Sequence, residues 1–407
     1  MSSSSHRIPG LDLLRAIAIT WVMVGHLFEI APELHGLPEF VRTLMSAGPA
    51  GVDLFFVLSG FLIGRILRRM LASGGGLDVL GFWSRRWLRT LPAYYAVLLG
   101  GLVTEVLGRS RGGWNGALPA YFVFLQTYLS DMPRFNWTWS LCIEEHFYLV
   151  LPLVLVAAAR MRPGVSPQRL LLSVGVACLV TSLCARFAHW WLAGMPPLEV
   201  LREMALHTRS FYVFSHCRLD GIAMGLVVAA LPAPTAAAKR LGPWAVAAAM
   251  SLVLAMPFLV TGPVHWLLSF TGLALGCAVL VWSASPGGLL SRVSVPGAGF
   301  ISDISYAFYL THLTVFGIAR RALPGTSGAL VAAIAIPAAI VVSVAIRRMV
   351  ELPVIRLRER WFPNPEPSSR RSPPGSGAPR LFPSAYGNTT NPEENTGRGC
   401  TAVSKSG

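Results

Sequence analysis

Two ionisable residues, Arg15 and His26, lie eleven positions apart within one apolar stretch near the start of the chain. Eleven residues make about three turns of an α-helix, so both side chains fall on one helix face, about 16 Å apart. Ionisable groups inside long apolar segments cost free energy and usually serve a function. Two interpretations stay open: an arginine that reaches the polar boundary beside a hydrogen-bonded histidine, or a charged anchor paired with a base.

A second polar group opens a later apolar run, where Glu144, Glu145 and His146 are consecutive. Ser140 as an N-cap, with a carboxylate in the first turn, would suit the positive end of the helix dipole. That arrangement explains one carboxylate comfortably and leaves the rest of the run unexplained. Carboxylates and imidazoles are general acids and bases, so the run favours a functional role.

Further polar residues lie in or beside apolar runs, each with a structural alternative. Asp53 is near the rim of its run, where water could solvate it, and Ser59 precedes a glycine in a pair typical of close helix packing. Arg218 and Asp220 are spaced for a local ion pair. His312 lies near the middle of its run, where a hydrogen bond to a neighbour would equally explain it.

The composition identifies the setting of these residues. The 407-residue chain is 53% hydrophobic and 13% charged, with a mean hydropathy of +0.56, whereas soluble domains carry about 25% charged residues. A water-soluble enzyme and a largely disordered chain are thereby excluded, which leaves an integral membrane protein. Of the 34 basic residues only Lys239 and Lys405 are lysines, and the arginines gather at the ends of apolar runs. That placement is typical of membrane orientation signals, so no nucleic-acid partner is predicted.

The six cysteines form no CxxC pair, and most lie within apolar runs. Buried cysteine behaves as a small hydrophobic residue, so we predict neither a disulfide framework nor a metal site. No phosphate-binding loop, serine-hydrolase elbow or zinc-protease motif occurs in the sequence.

Ten apolar runs have about the 17–25 residues that a bilayer core requires. They cover residues 11–31, 48–67, 90–108, 146–162, 169–192, 218–233, 243–261, 265–284, 304–322 and 328–350. If the shorter run 117–130 does not cross, the arginine-rich connections fall on one side, which is then cytoplasmic. We therefore predict an all-α polytopic membrane protein with about ten transmembrane helices, both termini cytoplasmic, and a re-entrant or interfacial segment at 117–130.

Residues 1–360 form one predicted transmembrane domain. The first apolar run contains Arg15 and no cleavage pattern follows it, so we expect a retained helix and not a removable signal peptide. Residues 361–407 are rich in Pro, Ser, Gly, Asn and Arg, which predicts a disordered cytoplasmic tail. The arginine-rich, lysine-poor composition fits a bacterium of high GC content, and the predicted location is its cytoplasmic membrane.

Taken in order, the motifs resemble the membrane acyltransferase-3 family over roughly residues 8–360. They are Arg15 and His26 at R-x10-H, Phe55 to Phe61, Arg86-x-x-Arg89-x-x-Pro92, Trp139-Ser140-Leu141 with Glu144, Phe147 and Tyr148, Arg218-x-Asp220 with Gly225, Ser305-Tyr306 with Tyr309 and His312, and Glu351-x-Pro353. Each motif alone is weakly specific, but seven in the family's order on a ten-span frame are strongly specific.

The resemblance implies an integral membrane O-acyltransferase that moves an acyl group, usually acetyl, from cytoplasmic acyl-CoA to a hydroxyl. In that family the helix-one histidine is the favoured catalytic residue and the helix-one arginine is implicated in activity. Two positions depart from the family's pattern, since Cys142 and His146 stand where Ser and Gln are usual. Many members carry an extracytoplasmic SGNH esterase-like domain. The sequence shows none, so we expect the stand-alone form, which puts an acyl relay to such a domain in doubt.

The hypothesis that follows assigns three groups of residues. Donor binding, at the CoA phosphates, is assigned to Arg86 and Arg89 together with Arg65 and Arg15. Catalysis is assigned to His26 as general base, with Glu144 or Glu145 orienting it or stabilising its imidazolium. Supporting roles go to Asp53, Ser59, Trp139, Ser140, Arg218, Asp220, Tyr309 and His312. Direct transfer and a covalent acyl-histidine both stay open.

Acyl-CoA enters this hypothesis as a substrate, and no bound cofactor or metal is predicted. The expected acceptor is a carbohydrate, a glycolipid or a glycosylated metabolite. The alternative from another class is a proton-coupled secondary transporter of a polar substrate, with the buried histidines and glutamates as a proton relay. No inverted repeat is visible in the sequence to favour it.

Overall fold

The computed structural model describes residues 7–74, 76–107, 117–129, 132, 135–201 and 210–362. The described residues form helices joined by short turns, and no strand occurs among them. An all-α membrane protein is therefore confirmed. The predicted tail, apart from residues 361 and 362, lies outside the described residues.

The helices are numbered in chain order over the described residues. They are α1 (Pro9–Gly25), α2 (Glu39–Ser46), α3 (Pro49–Ala72), α4 (Val79–Leu107), α5 (Leu118–Phe122), α6 (Trp139–Met161), α7 (Pro167–Leu192), α8 (Ser210–Val213), α9 (Asp220–Ala230), α10 (Ala236–Leu259), α11 (Pro263–Ala284), α12 (Ala298–Ala322), α13 (Gly328–Ile346) and α14 (Leu352–Trp361). Prolines begin several of them, since proline at the first helical position loses no hydrogen bond that the helix needs.

Each of the ten predicted runs falls on one of these helices. Within the described part of the chain, seven helical segments are long and apolar enough to cross a membrane. The remaining three runs lie on α4, α9 and α12. Helices α4 and α12 have 29 and 25 residues and carry several charged side chains.

Two segments are too short to cross a bilayer as single helices. Helix α9 has eleven residues, or about 16 Å at 1.5 Å per residue, and is shorter than the predicted run 218–233. It begins at Asp220, whose carboxylate is held in an ion pair, and ends just before Pro232. Residues 117–129 form the five-residue helix α5 and a 3-10 turn at Gln126–Tyr128.

Helices α3 and α9 pack extensively against each other, with their backbones in close contact. Gly60 of α3 lies against the backbone carbonyl of Ile222, and Gly225 of α9 lies against the backbone of Val57 and Phe61. Neither position has room for a Cβ, so both glycines are needed for the approach of the two backbones. Helix α9 also packs on α7 and α11, and α1 packs on α3 and α12.

Helices α13 and α14 follow each other in the chain with no loop between them. Between α13 and α14, residues Arg347–Glu351 make a π-helical turn. Arg347 donates a hydrogen bond to the backbone carbonyl of Asp303, and its guanidinium lies 3.2 Å from the Asp303 carboxylate. The turn brings α14 into contact with α4, so side chains near the end of the described chain reach the arginines of α4.

Candidate active site

The histidine that the sequence singled out lies immediately after α1. The helix stops at Gly25 and His26 starts a 3-10 turn, so the single α-helix predicted to carry both Arg15 and His26 ends one residue before His26. Its half-buried ring lies 5.1 Å, centroid to centroid, from the ring of His312 on α12. The Nδ1 atom of His312 lies 2.8 Å from the backbone carbonyl of Tyr309 and must donate to it, because a carbonyl oxygen only accepts. The buried Nε2 atom then carries a lone pair, and no described residue hydrogen-bonds it.

A cavity of about 560 Å³ opens beside His26. Its polar lining includes Glu29 and Asn136, and its aromatic lining consists of Trp137, Trp139, Tyr212, Trp266 and Tyr309. A cavity of this size, with many apolar surfaces and few polar groups, is typical of a small-molecule site.

Hydrogen bonds fix the cavity wall at the start of α6. Tyr309 donates through its hydroxyl to the backbone carbonyl of Trp137 at 2.6 Å. Ser140 lies 2.7 Å from the same hydroxyl and donates to it, since the tyrosine proton is already committed. Because α6 begins at Trp139, Ser140 is inside the helix and does not cap it. The structural alternative of an N-cap at Ser140 is thus wrong, and Ser140 instead joins α6 to α12.

A second polar cluster is built around Tyr148, one turn beyond Glu144 on α6. Arg86 of α4 donates to the Tyr148 hydroxyl and also lies over the tyrosine ring, with its guanidinium carbon 4.1 Å from the centroid. The hydroxyl in turn donates to Glu144 at 2.8 Å. Ser59 of α3 hydrogen-bonds the same hydroxyl, so three helices meet at one phenol.

The predicted pairing of a glutamate with His26 does not match the observed contacts. Glu144 is held by Tyr148, and Glu145 accepts a hydrogen bond from Thr90 of α4 at 2.9 Å. Both carboxylates therefore face α4, whereas the ring next to His26 belongs to His312. Helical geometry gives the reason, since Glu144 lies five residues, or about 7 Å, along α6 from the cavity residue Trp139.

The predicted donor-binding arginines separate into two places. Arg89 is exposed and interacts electrostatically with Arg86, Arg15 and Arg358. No described carboxylate forms an ion pair with Arg89. Arg65 is outside this group, since its electrostatic neighbours are Arg68 and Arg69 and its guanidinium lies 5.4 Å from the Phe61 ring centre.

Asp53 and Arg218 form a buried ion pair between α3 and the start of α9. The Arg218 Nη2 atom lies 3.0 and 3.1 Å from the two carboxylate oxygens of Asp53, and Asp53 is 2% exposed. The expectations of a solvated Asp53 and of a local pair between Arg218 and Asp220 are therefore wrong. Aromatic rings surround the guanidinium, the nearest being Phe270 at 4.2 Å.

Asp220 instead pairs with Arg186 of α7. The distances from the guanidinium to the two carboxylate oxygens are 2.5 and 3.0 Å, and Thr271 and Ser182 hydrogen-bond the same carboxylate. Paired and hydrogen-bonded charges are the form in which ionised groups tolerate burial. Arg186 is the main residue that sequence reasoning missed. Its signal was visible, because it is a charged residue deep inside a 26-residue apolar helix.

The comparison with known proteins agrees with this architecture. A family model described as an acyltransferase domain, that of the acyltransferase-3 family, matches residues 8–348. The chain belongs to this family. The predicted membrane acyltransferase is thereby confirmed at the level of the family. The matched region contains His26, His312 and the Tyr148 cluster.

Curated relatives cover part of this acyltransferase domain. A putative peptidoglycan O-acetyltransferase, YrhL of Bacillus subtilis, is 33% identical over 231 residues, which is 53% of this chain and 33% of that protein. The peptidoglycan O-acetyltransferase OatA of Listeria monocytogenes is 30% identical over 235 residues, 52% of this chain and 33% of OatA. The aligned region spans about a third of these relatives. No solved structure gives a significant match.

Proposed function

We propose that the protein is a bacterial membrane O-acetyltransferase that moves an acetyl group from acyl-CoA to a carbohydrate hydroxyl in the cavity beside His26. The observation that carries the proposal is the close pair of imidazole rings, His26 and His312, whose centroids are 5.1 Å apart, beside an aromatic-lined cavity. Membership of the acyltransferase-3 family and similarity to O-acetyltransferases support the reaction class.

In the proposed step, His26 takes the proton of the acceptor hydroxyl as its oxygen attacks the thioester carbonyl. The carbon–sulfur bond then breaks, and the CoA thiolate leaves with the proton that His26 releases. A neutral imidazole is suited to this cycle because its ordinary pKa lies near neutrality. His312 would orient His26 by accepting a hydrogen bond at Nε2, the role first assigned to a glutamate.

The proposed donor site is the arginine group of Arg15, Arg86, Arg89 and Arg358. Guanidinium groups bind phosphate in bidentate fashion, and Arg89 is exposed with no ion-pair partner among the described residues. Tyr148 and Glu144 hold Arg86 in place. Ten helical residues separate Arg15 from the end of α1, or about 15 Å, which suits a long, thin donor whose phosphates and thioester are far apart.

The cavity lining supports a carbohydrate acceptor. Trp137, Trp139 and Trp266 line the cavity with aromatic rings, which are suited to the C–H face of a sugar, while Glu29 and Asn136 can hydrogen-bond its hydroxyls. The peptidoglycan named for the two relatives is also a carbohydrate polymer. We place the acceptor cavity on the extracytoplasmic side and the arginine group on the cytoplasmic side, as the arginine distribution predicts.

The test uses membranes that contain the wild-type chain, His26→Ala or the control His35→Ala, incubated with radiolabelled acetyl-CoA. His35 is an exposed histidine in the turn Pro32–Gly36, so its loss leaves the cavity unchanged. We expect CoA release and a labelled glycan fraction from wild type and His35→Ala, and none from His26→Ala.

Two results would contradict the proposal. Full turnover by His26→Ala would remove the assigned base. Uptake of a polar solute into vesicles, with no CoA release by any variant, would instead favour a transporter.

A further inference from the structure

A cluster of possible metal ligands lies away from the His26 cavity, at the junction of α7 and α9. His189 is near the end of α7, and His216 and Cys217 belong to the 3-10 turn Ser215–Cys217 that precedes α9. The Nε2 atoms of the two histidines are 2.9 Å apart. One ring nitrogen of each histidine and the Cys217 sulfur all lie within 4.8 Å of one another.

The spacing is close to that of a coordinated ion. With zinc–nitrogen bonds of about 2.0–2.1 Å and a zinc–sulfur bond of about 2.3 Å, tetrahedral ligand atoms are separated by roughly 3.3–3.6 Å. The two imidazole nitrogens would move apart by a few tenths of an ångström, and the sulfur would move inward by about 1 Å. Side-chain torsions alone can supply shifts of this size.

The surroundings hold the three side chains in this arrangement. The ring centres of Phe214 and Tyr128 lie 5.5 and 6.1 Å from that of His216, with interplanar angles of 28° and 9°. Arg186 donates to the backbone carbonyl of Cys217 at 2.7 Å, so the turn is fixed to α7 one helical turn before His189. Both histidines are half-buried, which leaves solvent a route to the cluster.

A hydrogen bond between the two imidazoles explains their distance without a metal, but it gives no role to the adjacent thiol. Two imidazoles and a thiolate form a ligand set that suits zinc, because soft sulfur and borderline nitrogen ligands select it over calcium or magnesium. Three protein ligands also leave a fourth position for water.

We propose that His189, His216 and Cys217 bind a zinc ion. On binding, the Cys217 thiol loses its proton to solvent and the two neutral imidazoles coordinate through Nε2. The site revises the expectation, drawn from cysteine spacing, that the chain holds no metal. The site joins α7 to the segment that carries Tyr212 and Val213, two residues of the cavity wall. The zinc proposal does not depend on the proposed acetyl transfer.

The experiment titrates cobalt(II) into the full chain, purified in detergent without a polyhistidine tag and treated with chelator. Cobalt replaces zinc and reports thiolate coordination through a charge-transfer band in the near ultraviolet. For wild type we expect one equivalent bound, with this band, and its disappearance when equimolar zinc is added.

The variants assign the ligands. Cys217→Ser should lose the band, and His189→Ala and His216→Ala should weaken cobalt binding at least tenfold. The controls Cys184→Ser and His265→Ala remove an exposed cysteine of α7 and an exposed histidine of α11, and should bind as wild type does.

Three outcomes would overturn the site. They are a monodisperse wild-type protein without the band, a band that survives in Cys217→Ser, and loss of binding in either control. The wild-type titration decides the matter even where a variant does not fold.

Discussion

At the scale of single residues, the two ring nitrogens of His312 differ in their hydrogen bonding. Nδ1 is bound to a backbone carbonyl of its own helix, while Nε2 is buried without a hydrogen-bond partner among the described residues. A buried acceptor without a donor costs free energy. In the proposed mechanism, a hydrogen bond donated by His26 satisfies this acceptor and orients the His26 ring.

Substitutions that imitate one nitrogen at a time test this assignment. The amide nitrogen of Asn can take the place of Nδ1, and the side chain of Gln reaches the place of Nε2. We expect His312→Asn to lower kcat about 100-fold with little change in stability, and His312→Gln to retain more activity. Steady-state kinetics and the apparent Tm measure the two effects. Equal activity of the two variants would contradict an orienting role for Nε2.

Tyr148 also acts at the residue scale, since its hydroxyl joins Arg86 to Glu144 and Ser59. Tyr148→Phe keeps the ring and removes these hydrogen bonds, so Arg86 loses its fixed direction. A lost charge-assisted hydrogen bond of about 1.5 kcal/mol corresponds to a roughly tenfold rise in the KM for acyl-CoA. The acceptor KM should not change.

The matched control is Tyr95→Phe, whose hydroxyl donates to the Phe122 carbonyl on an exposed face. It should leave both KM values as in wild type. If Tyr148→Phe lowers kcat and leaves the donor KM unchanged, the cluster acts in the chemical step and not in donor binding.

At the scale of helices, the contact between α3 and α9 depends on the absence of side chains. Gly60→Ala would press a methyl group into the backbone of Ile222, which cannot move aside cheaply. We expect a loss of stability of about 1–3 kcal/mol, seen as a lower apparent Tm in detergent. Gly100→Ala is the control, because that helical glycine faces open space. It should be neutral or stabilising by up to about 1 kcal/mol, and equal losses in both would contradict the close packing.

The same two helices are joined by the Asp53–Arg218 pair. Asp53→Leu or Arg218→Met alone leaves one buried charge uncompensated and should cost about 3–5 kcal/mol. The double variant should cost less than either single variant, since no lone charge remains. Apparent Tm values of the four proteins complete the cycle. Additive losses would mean that the two side chains are stabilised independently.

At the scale of the whole molecule, sequence reasoning succeeded where the information is local. Hydropathy located the ten helices, and the order of the motifs identified the family that the comparison shows, while the catalytic role of His26 stays a prediction. Sequence reasoning failed for partners distant in the chain, such as Asp53 with Arg218, 165 residues away, and Arg186 with Asp220, 34 residues away. Apolar periodicity says which residues are buried, but the axial register of one membrane helix against another depends on packing details such as Gly60.

The orientation in the membrane stays a prediction and has a direct test. In intact cells, an impermeant thiol reagent should label Gly36→Cys and should not label Ser73→Cys, both at exposed positions. Labelling of the unsubstituted parent gives the background from native cysteines. Permeabilised cells should label both variants. The reverse pattern in intact cells would place the arginine group outside.

The π-helical turn at Arg347–Glu351 has a consequence for how donor preference can differ between relatives. This turn separates α14 from the helices before it, and Arg358 reaches the arginine group from α14. One of the four proposed phosphate contacts is thus carried by the last helix of the described chain. An exchange of α14 between relatives should alter donor preference while the acceptor cavity stays the same, so the two specificities can evolve, or be engineered, separately.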